Sequence, residues 1–216
     1  MPTITRIAEQ KRRKNRRSVY LDGAFAFGCN VNVIARFRLR EGLRLTPEQV
    51  AEVLAGGVRQ ECLDDALRML QSRLHSRSEV KKKLARKEYG PQVIDAVLAD
   101  LERLGYLNDA EFAKAKATSA AKHKHHGARR AKVELMRKGV DPETAEKALA
   151  DVYDAHDSLA VAKELARKQA PRLSRLDPQV ARRRLVGMLQ RRGFDYEMVK
   201  PVVDEVLGEM DEAGEE

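Results

Sequence analysis

The sequence has little of what membrane proteins, secreted proteins and large globular enzymes need. It has no tryptophan, only 5% aromatic residues, and two cysteines, Cys29 and Cys62, which stand in no CxxC spacing. No stretch approaches the roughly 18 apolar residues of a membrane-spanning helix, and the N-terminus lacks the apolar core of a signal peptide. We therefore expect a cytoplasmic chain that enters no membrane and keeps both cysteines as buried, reduced thiols.

The sequence also lacks the common catalytic and metal-binding motifs. It contains no GxxxxGK(S/T) phosphate loop, no GxSxG elbow and no HExxH pair. His123, His125 and His126 are the only clustered metal ligands, and their spacing does not place a zinc set on one face of a helix. These absences predict a protein that is not an enzyme and has no catalytic residues, no metal and no cofactor.

Charge, in contrast, is abundant. Charged residues make up 35% of the 216 residues, and the net charge is +9. This excess of cations indicates an anionic partner, and nucleic acid is a better candidate than a membrane for a chain without an apolar span. A high charge with few aromatic residues favours slender helical modules over one large globule.

One segment is present three times without a gap. It runs from Leu84 to Leu98, from Leu135 to Leu149 and from Leu189 to Val203, at offsets of 51 and 54 residues. Each copy has an apolar helical stripe, a basic helix end, a turn and a second apolar stripe. Gly139 and Gly193 provide a left-handed helix stop in the later copies. Glu88 stands at that place in the first copy, so we expect its turn to be built differently.

These patterns predict a mainly α fold with three tandem three-helix repeats in an elongated arc, preceded by a small N-terminal β-hairpin and helix. The hairpin turns at Asp22-Gly23, Ile4 to Ala8 is a candidate third strand, and a helix is expected from Val31 to Leu39. The helix that begins at Pro47 is expected to end or kink at Gly56-Gly57. We place the domains at residues 1–45, 46–108, 109–153 and 154–210, followed by an acidic, disordered tail at 211–216.

Charge is divided in the same way within each repeat. The middle helices are basic and the closing helices are acidic, so a stack of like repeats would carry one basic and one acidic stripe. Ordinary solvated helix charge is the alternative, as it is for the N-terminal basic run, which is either a DNA-contacting loop or a solvated tip. The predicted nucleic-acid-binding residues are Lys11, Arg12, Arg13, Lys14, Arg16, Arg17, Lys81, Lys82, Arg86, Lys87, Arg129, Arg130, Lys132, Arg137, Lys138, Arg182, Arg183, Arg184, Arg191 and Arg192. The predicted partner-binding residues are Asp95, Asp100, Glu146 and Asp151.

Several short motifs occur in the order typical of one family. They are Ser76-Arg77-Ser78-Glu79 before Leu84, Gly105-Tyr106-Leu107-Asn108-Asp109 before Phe112-Ala113, Gly127 with Leu135 and Gly139, and Leu189 with Gly193-Phe194-Asp195. Over about residues 60 to 208 the chain resembles the RecX family, bacterial regulators of the RecA recombinase. The N-terminal hairpin is similar to the extension of the longer members, whereas the His-rich stretch from Lys122 to His126 is not typical of them.

The resemblance implies a function that the residues alone do not specify. It implies a non-enzymatic, monomeric protein that lodges in the groove of the RecA–DNA filament and contacts RecA and single- and double-stranded DNA. Such a protein modulates, and usually lowers, the ATPase and strand exchange of RecA, and with them recombination, DNA repair and the SOS response. The alternative is a nucleic-acid-binding helical repeat protein with no RecA partner.

Overall fold

The N-terminal region is a three-stranded antiparallel sheet. The computed structural model describes residues 1–10 and 13–214, and its sheet has the order β1 (Ile4–Gln10), β2 (Arg13–Leu21), β3 (Ala24–Asn30). Asp22 and Gly23 both have positive φ angles, 49° and 88°, the requirement for the tight turn that suits a twisted hairpin. The predicted hairpin and its third strand are therefore confirmed.

Two helices follow the sheet and complete its core. The short α1 (Val31–Arg36) is capped by the Asn30 side chain, which accepts a hydrogen bond from the amide of Asn32. The long α2 (Pro47–Ser72) begins with a capping box in which Thr46 and Gln49 each accept from the other's amide. Ile4, Val19 and Phe27 of the sheet are buried together with residues of both helices.

The predicted break at Gly56-Gly57 is wrong, because α2 is one continuous helix of 26 residues. A Cβ atom on Gly56 would lie 2.6 Å from Cε2 of Phe37, the residue that ends α1. The glycine therefore allows the Phe37 ring to pack directly on the backbone of α2. Isolated glycine is tolerated inside a helix when such a contact offsets its low helix propensity.

The rest of the described chain is helical and confirms the mainly α fold with three three-helix repeats; the elongated arc stays a prediction. The helices are α3 (Arg77–Ala85), α4 (Pro91–Arg103), α5 (Asp109–Lys122), α6 (Ala128–Arg137), α7 (Pro142–Tyr153), α8 (Ser158–Gln169), α9 (Pro178–Arg191) and α10 (Tyr196–Gly214). The middle helices of the repeats are α3, α6 and α9, and the closing helices are α4, α7 and α10. The helix α10 extends to Gly214, so the disordered tail predicted from residue 211 is wrong up to that residue.

The chain divides into two compact parts. One comprises residues 1–75 and 80–107, and the other comprises residues 76–79 and 108–216. In the first part, a core around Leu84, Leu98 and Leu101 lies beside the core of the sheet. The second part contains one core around Phe112 and Leu135 and another built from α8, α9 and α10. Each three-helix repeat therefore has its own hydrophobic core.

The turn after each middle helix has the same backbone conformation. Glu88, Gly139 and Gly193 have φ angles of 64°, 76° and 90°, so the prediction that the first copy is built differently is wrong for its backbone. The difference lies in the space around the residue. A Cβ atom would clash with Ser78 at Gly139 and with the Arg130 amide at Gly193, whereas Glu88 is exposed. Glycine is required only where another helix contacts the turn.

Candidate nucleic-acid interface

The N-terminal basic run is mostly strand and not the loop that we predicted, because β2 begins at Arg13. Lys11 and Arg12 lie outside the described residues, and for Arg13 and Lys14 only the backbone is described. The Arg16 guanidinium contacts the Glu61 carboxylate of α2 and donates to the Gly28 carbonyl at 3.1 Å. Arg17 lies 3.4 Å from a Glu9 carboxylate oxygen. Both side chains therefore join elements of the N-terminal fold.

In the first two repeats the predicted basic and acidic residues meet, and in the third a predicted arginine meets another acid of the closing helix. Lys81 Nζ lies 2.6 Å from Asp95, and at the equivalent positions of the second repeat Lys132 Nζ lies 2.5 Å from Glu146. In the third repeat, Arg182 contacts Asp204 of α10. Each ion pair joins the middle helix to the closing helix. The charges that we predicted as two separate stripes are therefore partly neutralised against each other.

The remaining predicted acidic residues differ in their surroundings. Asp100 contacts Arg59 of α2 and lies 3.2 Å from the Arg103 guanidinium. Its equivalent in the third repeat, Glu205, lies 2.7 Å from Lys163 Nζ. Asp151 occupies the same position in the second repeat, where it is exposed and, within the described part of the chain, in no ion pair. Asp151 is thus the most available carboxylate of the predicted set.

Lys87 is held by a buried carboxylate that the sequence analysis missed. Asp65 of α2 is 7% exposed and accepts hydrogen bonds from Lys87 Nζ at 2.7 Å and from the Tyr89 hydroxyl at 3.0 Å. Burial raises the pKa of Asp65, but the two hydrogen bonds and the nearby Arg68 outweigh it and hold the pKa below its usual value. Lys87 therefore fixes the end of α3 to α2. No spacing in the sequence distinguishes Asp65 from the partly exposed acids beside it, Glu61 and Asp64.

Some predicted cations remain exposed, and no ion pair among the described residues includes them. They lie on the middle helices or, for Arg86, in the turn directly after α3. They are Lys82, Arg86, Arg129, Arg137, Arg183, Arg184 and Arg191. A cation without an intramolecular partner gives up no ion pair when it binds a phosphate, so these residues are the best candidates for nucleic-acid contacts.

The exposed cations of the first and third repeats line similar grooves. In the first repeat, Lys83 of α3 and Arg86 in the turn after it face Met69 and Ser72 of α2. In the third, Arg184 and Arg191 of α9 face Gln169 and Leu173. Arg86 and Arg191 occupy equivalent positions of their repeats. A groove between helices with guanidinium groups at its edge suits a phosphate backbone better than a small apolar ligand.

The first turn of a middle helix contacts the C-terminal end of the next middle helix at two places in the second part, which we call joint 1 and joint 2. At joint 1, the buried Ser76 hydroxyl donates to the Lys138 carbonyl at 2.6 Å and accepts from the Glu79 amide at 3.1 Å. At joint 2, the Gly127 amide donates to the Arg192 carbonyl at 2.8 Å. The Arg130 guanidinium donates to the Arg191 carbonyl at 3.0 Å.

The charges at joint 2 centre on one carboxylate. Glu134 lies 3.0 Å from Lys124 Nζ, 3.7 Å from Arg130 Nε and 3.2 Å from His126 Nδ1. Burial and the charges of Arg130, Lys124 and Arg192 lower the pKa of His126, although Glu134 opposes them. These surroundings therefore favour the neutral form of the imidazole over the charged one. In the part of the chain that the structure describes, no group of His, Cys, Asp or Glu side chains could hold a metal ion.

The fold and these charges define the class of the protein: a tandem three-helix repeat protein with exposed cations on its middle helices. Family models of the regulatory protein RecX match nearly the whole chain in order. The N-terminal domain matches residues 2–46 and the first, second and third three-helix domains match residues 62–101, 108–149 and 156–203. The chain belongs to the RecX family of regulatory proteins.

Individual relatives agree with this assignment. The chain is 31% identical over 212 residues to regulatory protein RecX of Bacillus subtilis and, over the same length, to that of Leuconostoc mesenteroides. Each alignment covers 98% of this chain, with 80% of the first relative and 79% of the second. The family assignment supports a regulatory role.

Two crystal structures share the fold. One of a regulatory protein RecX covers 94% of this chain and 100% of its own, with a TM-score of 0.77 and 23% identity. RecX from Lactobacillus salivarius covers 69% of this chain and 96% of its own, with a TM-score of 0.64 and 25% identity. Across the described residues, no helix has the length and apolar character to cross a bilayer.

Proposed function

We propose that this protein binds the nucleoprotein filament of a RecA recombinase and lowers its ATPase and strand-exchange activity, and thereby recombination and the SOS response. The observation that carries the proposal is the match to RecX over the N-terminal domain and all three repeats. The exposed cations of the middle helices support a DNA contact. We further propose that the protein acts in the bacterial cytoplasm as a monomer, without catalytic activity of its own.

The DNA contacts in this proposal are ionic and reversible. Lys82, Arg86, Arg129, Arg137 and the exposed arginines of α9 bind phosphates, while paired cations such as Lys81 and Lys132 contribute less because they already contact carboxylates. Each phosphate contact adds about 0.9 to the salt slope on duplex DNA and about 0.7 on single strands. Many such contacts give binding that is tight at low salt and weak at high salt.

The acidic residues of the closing helices are the proposed contacts for cationic groups of RecA. Asp151 is exposed, and the Glu146 side chain is 62% exposed although it contacts Lys132. Asp95 and Asp100 have to exchange their present ion pairs for new ones. Exposed pairs contribute roughly 0.2–1 kcal/mol each, so this exchange costs little and single substitutions should have small effects.

The test is the ATPase of RecA on single-stranded DNA with this protein titrated in. We expect a concentration-dependent decrease, and no ATP hydrolysis by this protein alone. Recovery of RecA from a nuclease-treated lysate then separates a RecA regulator from a repeat protein that binds only nucleic acid. If the RecA ATPase stayed unchanged and RecA were not recovered, the protein would be a repeat protein that binds nucleic acid and not a regulator of RecA.

A further inference from the structure

Joint 1 and joint 2 use the same positions of the repeat but carry different charges. At joint 1, Glu79 of α3 lies 2.7 Å from Lys138 Nζ at the end of α6. The equivalent residues at joint 2 are Arg130 of α6 and Arg192 at the end of α9. An ion pair in one joint is therefore replaced by two cations in the other.

Joint 2 does not contain enough negative charge to balance its cations. Lys124 and Arg130 contact a single carboxylate, Glu134, and the Arg192 guanidinium donates to the Lys124 carbonyl beside them. Among the described residues, the other partner of the Arg130 guanidinium is also a backbone carbonyl, that of Arg191. Each guanidinium has five N–H donors in a fixed planar fork, most of which these bonds leave for a ligand. The Arg130 side chain is 46% exposed, so a ligand can reach it.

We propose that joint 2 is a binding site for a phosphate of a nucleic-acid backbone, held between Arg130 on the first turn of α6 and Arg192 at the end of α9. A phosphate there contacts the second and third repeats at once, so DNA binding fixes their joint. This inference rests on the proposed DNA binding and specifies where one phosphate is held.

Two observations favour a nucleic acid over an acidic protein segment. Arginine forks match a phosphate in a bidentate geometry. Exposed arginines also continue from the joint in both directions, with Arg129 on α6, and Arg191 and Arg184 along the groove of α9. A single polyanionic strand with regularly spaced phosphates can contact this whole series.

The first test compares Arg130→Glu with the natural chain. The substitution places an acid opposite Arg192, as Glu79 stands opposite Lys138 in joint 1, so we expect the fold to be kept. Affinity for a short oligothymidylate at low salt should fall about tenfold, and the salt slope should fall by about 0.7 for one lost single-strand contact. Lys168→Glu is the matched control, because its side chain is 78% exposed and lies on α8.

The second test uses the natural chain and so does not depend on how the variant folds. An NMR titration of the His126 imidazole, 13% exposed at the joint, should show its pKa rising when the oligothymidylate binds, because a phosphate offsets the surrounding cations. Polyglutamate and inorganic phosphate serve as competing probes.

The outcomes separate this inference from the proposed function. An Arg130→Glu variant that binds DNA as the Lys168→Glu control does, or a His126 pKa that DNA leaves unchanged, would overturn the phosphate site. So would polyglutamate that shifts the His126 pKa as effectively as DNA. In all three cases the natural chain can still lower the RecA ATPase. Failure of the natural chain to bind DNA or to affect RecA would instead remove the proposed function.

Discussion

Joint 1 and joint 2 have one backbone arrangement and two charge arrangements. In both, the first turn of a middle helix donates to a carbonyl at the end of the next middle helix, and a glycine with positive φ allows the close approach. Joint 1 adds an ion pair, whereas joint 2 adds cations around Glu134. In both joints, small residues and hydrogen bonds to backbone carbonyls carry the geometry, which leaves the charged side chains available for binding.

The largest expected effect is that of Gly193→Ala, which tests whether the backbone arrangement is essential. The new Cβ atom would clash with the Arg130 amide at a φ of 90°. Left-handed backbone costs a residue with a Cβ atom roughly 1–2 kcal/mol, and overpacking adds about 1–3 kcal/mol. We expect the free energy of unfolding, measured by urea denaturation, to fall by about 2–5 kcal/mol.

Gly57→Ala is the control for that substitution. Gly57 lies inside α2 with nothing within 4 Å of a new Cβ atom, so alanine should stabilise the chain by about 0.5–1 kcal/mol. Equal effects of the two substitutions would show that the joint glycine is not required by its contacts.

The second prediction tests whether unpaired cations bind DNA more than paired ones. We expect Arg183→Glu with Arg184→Glu to weaken DNA binding about tenfold or more and to flatten the salt slope by up to about 1.8 on duplex DNA. The matched double variant is Lys81→Glu with Lys132→Glu, in which the natural lysines contact Asp95 and Glu146. DNA titrations over a range of salt concentrations measure the affinity and the salt slope of both double variants. If the second variant lost as much affinity, the distinction between the two sets of cations would be wrong.

The third prediction concerns Ser76, whose side chain contributes to joint 1 and has no counterpart at joint 2, where Gly127 stands at the equivalent position. The Ser76 hydroxyl is buried and bonded to both helices, so Ser76→Ala should lower the free energy of unfolding by about 1–2 kcal/mol. Ser78→Ala, in the same turn, should change it by no more than about 0.5 kcal/mol. Thermal denaturation followed by circular dichroism distinguishes these values, and a larger loss for Ser78→Ala would assign the joint to another contact.

The smallest expected effect is a pH dependence confined to joint 2. Burial and neighbouring cations lower the pKa of His126 below the ordinary histidine value of about 6.5, so the unfolded chain takes up a proton more readily than the folded one. Stability should therefore fall as the pH decreases below about 6.5 and through the folded-state pKa. His126→Gln should make the chemical denaturation midpoint less sensitive to pH in this range. If the denaturation midpoints of the natural chain and the His126→Gln variant depended on pH in the same way, His126 would not be the group responsible.

The sequence predicted local features well and tertiary ones poorly. The hairpin turn at Asp22-Gly23 and the start of a helix at Pro47 depend on neighbouring residues, and the structure has both of them. The break at Gly56 failed because the Phe37 ring, far along the chain, decides what that glycine does. Predictions that depend on residues close together in the sequence were thus confirmed, whereas the one that depends on a distant residue was wrong.

The candidate site shows the same division. The equivalence of Lys81 with Lys132 and of Asp95 with Glu146 was visible in the repeats, but their pairing depends on how the middle and closing helices pack. The repeat alignment also contained a signal that we did not use. Glycine at 139 and 193 but not at 88 indicates a contact that only the later turns make.

The joints have a direction, and this direction limits how such an array can be lengthened. Each joint needs a close-packed start of one middle helix and a glycine turn at the end of the next. The middle helix of the second repeat has both features, a close-packed start at Gly127 and a glycine turn at Gly139. The first repeat has Glu88 at its stop, and in the third the position equivalent to Gly127 is Ala181, which lies inside α9 after its start at Pro178. The outer repeats are therefore terminal caps, and an engineer who wants a longer protein can duplicate only the middle repeat.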